Sequence, residues 1–265
     1  MFDLVLRNTP LVHTLEADGP IRDGAVGILD GRIAFLGAEA ELPRNRIGPE
    51  TVELDARGGF VGPGFVDPHT HVVFAGDRAR EFELRASGAS YLDIARAGGG
   101  IANTVTAVRA ASEDQLVELA LPRLSRLLSF GVTTAEAKSG YGLNTADELK
   151  MLRAIRRLSA LQPVELLPTL LCAHAIPPEY ADRREAYVSL CIEEIIPAAA
   201  AEQLAIFCDV FIEQGAFTLE EGRRILEAGL SHGMIPRLHA DQMSQAGASR
   251  LAAELGASSA DHLEH

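Results

Sequence analysis

The sequence predicts an α/β protein: a (β/α)₈ TIM-type barrel, incomplete at about six of its eight strands, with a small N-terminal β-sandwich module. Three observations carry this expectation. Before Gly59 the apolar runs are short or alternating, with turn residues between them. From Phe60 onward strand-like runs alternate with helical segments, the mark of βα units and a parallel sheet. Each of those runs ends on polar residues, the position at which barrels gather their active sites. The domains follow: 1–59 as part of a β-sandwich domain and 60–265 as the barrel.

In the first domain Asp3 to Arg7, Ala25 to Leu29 and Arg32 to Leu36 read as strands, with Val52 to Leu54 as a further one. Asp30-Gly31 between two of them is a two-residue hairpin signal. In the second domain the expected strands are Phe60–Val66, Val132–Ala137, Val164–Cys172, Cys208–Ile212, Ile235–His239 and Ser259–Leu263. Ser112 to Gln115, Thr145 to Glu148 and Thr218 to Glu221 fit capping boxes, where a hydroxyl and an acidic or amide group satisfy the first free backbone donors of a helix. Gly131 and Gly233 sit where helices stop. A doubly wound open sheet is the alternative, weakened by the lack of a Gly-x-Gly-x-x-Gly turn after the first strand.

The chain has 265 residues and a formal net charge of −13. That balance argues against a nucleic-acid partner and against an anionic membrane surface. Three cysteines (Cys172, Cys191, Cys208) make no disulfide framework and read as small buried side chains. The amino terminus lacks a basic region followed by an apolar one, and no run of about 18 apolar residues appears anywhere. The expected location is cytoplasmic.

The most informative segment is Gly64-Phe65-Val66-Asp67-Pro68-His69-Thr70-His71. Residues i and i+2 of a strand share a face, so His69 and His71 offer two imidazoles to one point, as a metal site requires. The later strand ends read Lys138-Ser139-Gly140-Tyr141-Gly142, Cys172-Ala173-His174, Phe211-Ile212-Glu213, Leu238-His239-Ala240-Asp241-Gln242 and Ala260-Asp261-His262. This series resembles the amidohydrolase superfamily of metal-dependent hydrolases and, within it, the imidazolonepropionase family. The segment from Pro63 to His71 with Arg78 carries the wider resemblance; Lys138 to Leu143 and Ser259 to Leu263 carry the narrower one.

The resemblance implies that His69, His71 and His239 hold one divalent or trivalent transition metal, Zn or Fe, which suits three neutral imidazoles. It assigns His262 to the attacking water and Arg78 to the propionate of the substrate, a bidentate task for a guanidinium. Tyr141 and His174 would contact the imidazolone ring, and Tyr91 would line the same pocket. Gln242 stands where a glutamate is expected; it keeps a contact to the ring but not a carboxylate's role as base. Lys138 invites comparison with bridging lysines of two-metal enzymes, but it ends the second strand rather than the fourth, where Glu213 stands, so one metal is expected.

The reaction implied is hydrolysis of the ring amide of 4-imidazolone-5-propanoate to N-formimidoyl-L-glutamate, in histidine degradation. The partner is a small molecule with a carboxylate side chain, and a homodimer is left open. The rivals are another cyclic amidohydrolase or deaminase of the superfamily, or an inactive truncated fragment. The last is expected of the chain as it stands, because the family's fourth metal ligand is an aspartate on an eighth strand that this sequence does not reach. Asp241 and Asp261 are the nearby carboxylates, and neither is a safe substitute.

Overall fold

The computed structural model describes residues 1–15, 19–88 and 100–265. They form two compact units, Met1–Gly64 and Phe65–His265. The boundary lies five residues beyond the expected one because Val61 still pairs with Val12 of the first unit.

The first unit is a four-stranded sheet of β1 (Leu4–Val12), β2 (Ile21–Leu29), β3 (Arg32–Ala38) and β4 (Val52–Asp55), in the order β3-β2-β1-β4. β1 runs antiparallel to β2 and parallel to β4. Asp30 and Gly31 take φ of 51° and 68° between β2 and β3, as a type I′ hairpin turn requires. Phe2, Val5, Ala25 and Leu42 form the small core.

The second unit is a parallel sheet of β5 (Phe65–Asp67), β6 (Val132–Lys138), β7 (Glu165–Ala173), β8 (Phe207–Ile212), β9 (Ile235–Ala240) and β10 (Ser259–His262). Its spatial order is the chain order, β5 through β10. A doubly wound sheet reverses its order at a switch point; this one does not, and it has the topology of six consecutive barrel strands. The first strand is shorter than expected, Phe65–Asp67 instead of Phe60–Val66. Phe65 and Val66 are 66% and 64% exposed, since β5 pairs only with β6 among the described residues.

Helices α1 (Ala79–Ala86), α2 (Ile101–Ala110), α3 (Glu113–Ser129), α4 (Thr145–Leu161), α5 (Arg184–Leu190), α6 (Ile196–Ala201), α7 (Leu219–Ser231) and α8 (Ala248–Leu255) connect the strands. Ser112 and Thr218 form the expected capping boxes with Gln115 and Glu221. The third box does not form. Asn144 caps α4 instead, accepting from the Asp147 N–H, and Glu148 is drawn away by the loop before it. A π-helical turn, Cys191–Ile195, joins α5 to α6. Pro197, inside α6, lacks an N–H and crowds the preceding turn, which the wider turn accommodates.

The core lies between sheet and helices, with Leu116, Leu152, Ile155, Leu170, Val210 and Leu238 fully buried. The three cysteines are free and buried within it. α7 seats closely on β8 through two glycines on one face. A Cβ at Gly222 would lie 2.5 Å from the Ile212 side chain, and one at Gly229 would lie 2.7 Å from Cys208 Cβ. Gly229→Ala gains about 1 kcal/mol of helix propensity but overpacks the contact at about 1–3 kcal/mol. The expected outcome is a lower urea midpoint; an unchanged or raised one would mean that α7 yields without cost.

Candidate functional site

The carboxyl ends of parallel strands lie on one edge of a sheet, so this topology collects the residues that close each strand. His69 and His71 follow β5 at i and i+2, His174 follows β7, His239 lies in β9 and His262 ends β10. Their rings form one cluster. Ring centroids are 4.6 Å apart for His69–His239, 5.0 Å for His69–His262, 5.5 Å for His69–His71, 5.8 Å for His71–His239 and 5.2 Å for His71–His174. His69, His239 and His262 have ligand atoms within 4.8 Å of one another, as do His71, His174 and His239. The expected ligand set of His69, His71 and His239 spans these two groups, which share His239.

Hydrogen bonds set the state of each ring. His69 Nδ1 lies 2.8 Å from Asp261 Oδ2, and His239 Nδ1 lies 3.1 Å from Asp209 Oδ1. A carboxylate only accepts, so in each neutral ring Nδ1 carries the proton and Nε2 is bare. His174 Nδ1 donates to the Gly140 carbonyl, and burial with the neighbouring His239 lowers its pKa to about 3. Burial, then His174, holds His71 well below the ordinary imidazole range. His71 Nδ1 is buried with no hydrogen-bond partner among the described residues. Buried nitrogens are rarely left unpaired, and several neutral imidazoles around one point, one with an orphaned nitrogen, are a donor set that fits a transition metal.

Beneath the histidines lies a group of charges that the sequence reading did not single out as a unit. Lys138 is fully buried and donates to Glu136 Oε1 at 2.7 Å and Asp209 Oδ2 at 2.6 Å, with Asp261 Oδ2 at 3.5 Å. Arg237 Nε lies 3.2 Å from Glu136 Oε1, and its Nη2 donates to the Pro68 carbonyl. Burial raises Asp209 and Asp261, but their partners outweigh it. His239 and Lys138 hold Asp209 well below the carboxylate range, and His69 with Lys138 brings Asp261 to about 2. The available signal was a charge within a parallel strand, two residues before the residue that meets the cluster: Glu136 before Lys138, Arg237 before His239. Lys138 is thus held by carboxylates.

Other expected residues fall as follows. Tyr141 packs against His71 and His174, with centroids 5.5 and 5.2 Å away. Gln242 is half-buried, three residues beyond His239. Arg78 is partly exposed and donates from Nε to Glu81 Oε2 at 2.7 Å; no hydrogen bond or ion pair joins it to the histidines among the described residues. Tyr91 lies outside the described residues. Of the carboxylates weighed from sequence, Asp241 accepts from the N–H groups of Gly247, Ala248 and Ser249, and Asp261 is held by His69. Glu213 accepts from the N–H groups of Gln214, Met243 and Ser244.

The loop carrying Tyr141 is built around Glu148. This fully buried carboxylate accepts from the N–H of Gly140 at 3.0 Å and from Gly142 and Leu143 at 2.8 Å each. A Cβ at Gly142 would lie 2.4 Å from the Glu148 nitrogen, so the loop passes too close for any other residue. Glu148→Gln turns an amide N–H₂ toward one of these donors, a loss of about 1–3 kcal/mol. Amide exchange at Gly140, Gly142 and Leu143 should accelerate by one to two orders of magnitude, roughly; unchanged exchange would show that something else holds the loop.

Comparison with known proteins accords with this geometry. No protein-family model matches the chain. It is 63% identical to an imidazolonepropionase of Myxococcus xanthus, over all of this chain and 65% of that protein. It is 56% identical to one of Symbiobacterium thermophilum, over 92% of this chain and 58% of that protein. It therefore spans less than two thirds of the length of these curated relatives. Among solved structures, a 5-methylcytosine deaminase of Klebsiella pneumoniae matches with TM-score 0.63 and 19% identity, over 95% of this chain and 55% of that one. A metal-dependent hydrolase of Pyrococcus furiosus matches with TM-score 0.52 and 12% identity, over 96% and 75%. The chain shares its fold with these solved structures, and by sequence it is a homologue of curated imidazolonepropionases.

Proposed function

We propose that the chain carries the metal and ring-binding part of an imidazolonepropionase, which hydrolyses the ring amide of 4-imidazolone-5-propanoate to N-formimidoyl-L-glutamate. The observation that carries this reading is the 63% identity to an imidazolonepropionase along the whole chain; the strand-end histidine cluster supports it. His69, His71 and His239 are the proposed ligands of one transition metal, Zn or Fe. When bound, the metal supplies Lewis acidity that makes water a nucleophile at neutral pH.

The chain's own residues do the rest. Burial and the neighbouring His239 and His69 lower His262 from the ordinary imidazole value, so it is neutral at pH 7 and takes or returns a proton at the reacting water. His174, its Nδ1 proton committed to Gly140, offers a bare Nε2 as an acceptor to a ring N–H. Tyr141, beside His71 and His174, would border the same space, with Gln242 and Tyr91 as the further proposed contacts to the substrate. Arg78 would receive the propionate, in exchange for or beside Glu81.

The proposed partner is therefore a small molecule with a carboxylate, in the cytoplasm. The charge of −13 disfavours nucleic acid and anionic membranes. No described helix is long and apolar enough to cross a membrane.

Two measurements test this reading. Elemental analysis after reconstitution should find about one metal per chain, abolished by His239→Ala; retention of the metal in that variant would remove His239 from the ligand set. Binding and ring opening of 4-imidazolone-5-propanoate, followed by calorimetry and by loss of imidazolone absorbance, should both depend on Arg78. Arg78→Ala should lose about 2–5 kcal/mol, as a severed charge-paired contact does. Equal recognition of an analogue lacking the carboxylate would favour a deaminase or another cyclic amidohydrolase.

A further inference from the structure

The buried charges beneath the histidines are arranged around Lys138 in a way that bears on the metal. Asp209 faces His239 Nδ1 and Asp261 faces His69 Nδ1. Both carboxylates also face Lys138 Nζ, at 2.6 and 3.5 Å, through Oδ2. The third carboxylate on Lys138, Glu136, lies two residues before it on the same face of β6. The Lys138 backbone N–H donates to the carbonyl of Thr70, the residue between His69 and His71. One residue thus touches the supports of two proposed ligands and the backbone of the segment bearing a third.

We propose that Lys138 is a positioning residue that orients Asp209 and Asp261 together, so that His239 and His69 are both held with Nδ1 protonated and Nε2 turned to the metal. The physical reason is the valence of the carboxylates. Each has a free choice of which oxygen and which lone pair meets its histidine until another donor fixes it. A buried ammonium that donates to Asp209 and is ion-paired with Asp261 narrows that choice for both, and carboxylates that orient ligand imidazoles commonly affect metal affinity by about 10–100-fold. A lone ammonium serves this purpose where a planar guanidinium does not, because its donors diverge toward acids on different strands. The proposal rests on the reading that His69 and His239 are metal ligands.

The test compares the whole protein with Lys138→Met, Lys138→Arg and the charge-balanced double variant Lys138→Met/Glu136→Gln. The double variant is included because Lys138→Met alone leaves buried carboxylates without their cation. Two readouts are used. Long-range ¹H–¹⁵N spectra of the metal-free protein, above the imidazole titration range, report which ring nitrogen carries the proton. Zn²⁺ titration against a chelator of known affinity reports binding. In the wild type, His69 and His239 should each show a single tautomer with the proton on Nδ1; a substantial Nε2–H population in either would overturn the proposal with no variant needed.

In Lys138→Met and in the double variant, both rings should become tautomeric mixtures and Zn²⁺ affinity should fall by about 10–100-fold. Lys138→Arg should recover the tautomers only in part. Unchanged tautomers and affinity in a folded Lys138 variant would also overturn the proposal. The parent reading fails separately: His69→Ala and His239→Ala would then leave Zn²⁺ affinity unchanged, whatever the Lys138 variants do.

Discussion

Taking Glu136, Lys138, Asp209, Arg237 and Asp261 out of water costs several kcal/mol for each ion, roughly, and only close mutual pairing offsets it. They come from four strands, β6, β8, β9 and β10, so the pairing is satisfied only when those strands adopt one register. A slip of one residue would turn Lys138 and Asp209 to the opposite face of their strands. The charged group thereby selects the native sheet against its near neighbours. The same register sets His69, His174, His239 and His262 at one edge, so the site is assembled by the condition that buries the charges.

Much of this was legible in the sequence. Strand ends can be read without knowing the strands' order, since apolar runs broken by polar residues show where a buried parallel strand stops. The histidines were found because His-x-His and the later strand ends put imidazoles at those stops. The order itself came from the structure, which shows neighbours in sequence as neighbours in space and so excludes the doubly wound alternative.

What the sequence concealed was decided by long-range partners. Thr145 and Glu148 have the spacing of a capping box, yet Glu148 is claimed by the backbone of the Tyr141 loop, and Asn144 takes over the cap. Phe60 to Gly64 are apolar or small enough for a strand, but Val61 pairs with Val12 and keeps the segment in the first unit. Arg78 is assigned to a carboxylate by the resemblance alone, and the sequence gives no sign that Glu81, three residues on, pairs with its Nε in the fold. In each case the local pattern was sound and a distant or neighbouring group competed for the same side chain.

The Asp241 carboxylate, two residues beyond His239, gathers three N–H groups at the start of α8. The connection from β9 to α8 is therefore a closed ring of fixed circumference. Added residues between Asp241 and Gly247 would open that ring and pull on the strand bearing His239, so this connection should be intolerant of changes in length. The exposed Asp30-Gly31 turn only joins two strands of the first unit, and inserted segments are expected to be accepted there far more readily.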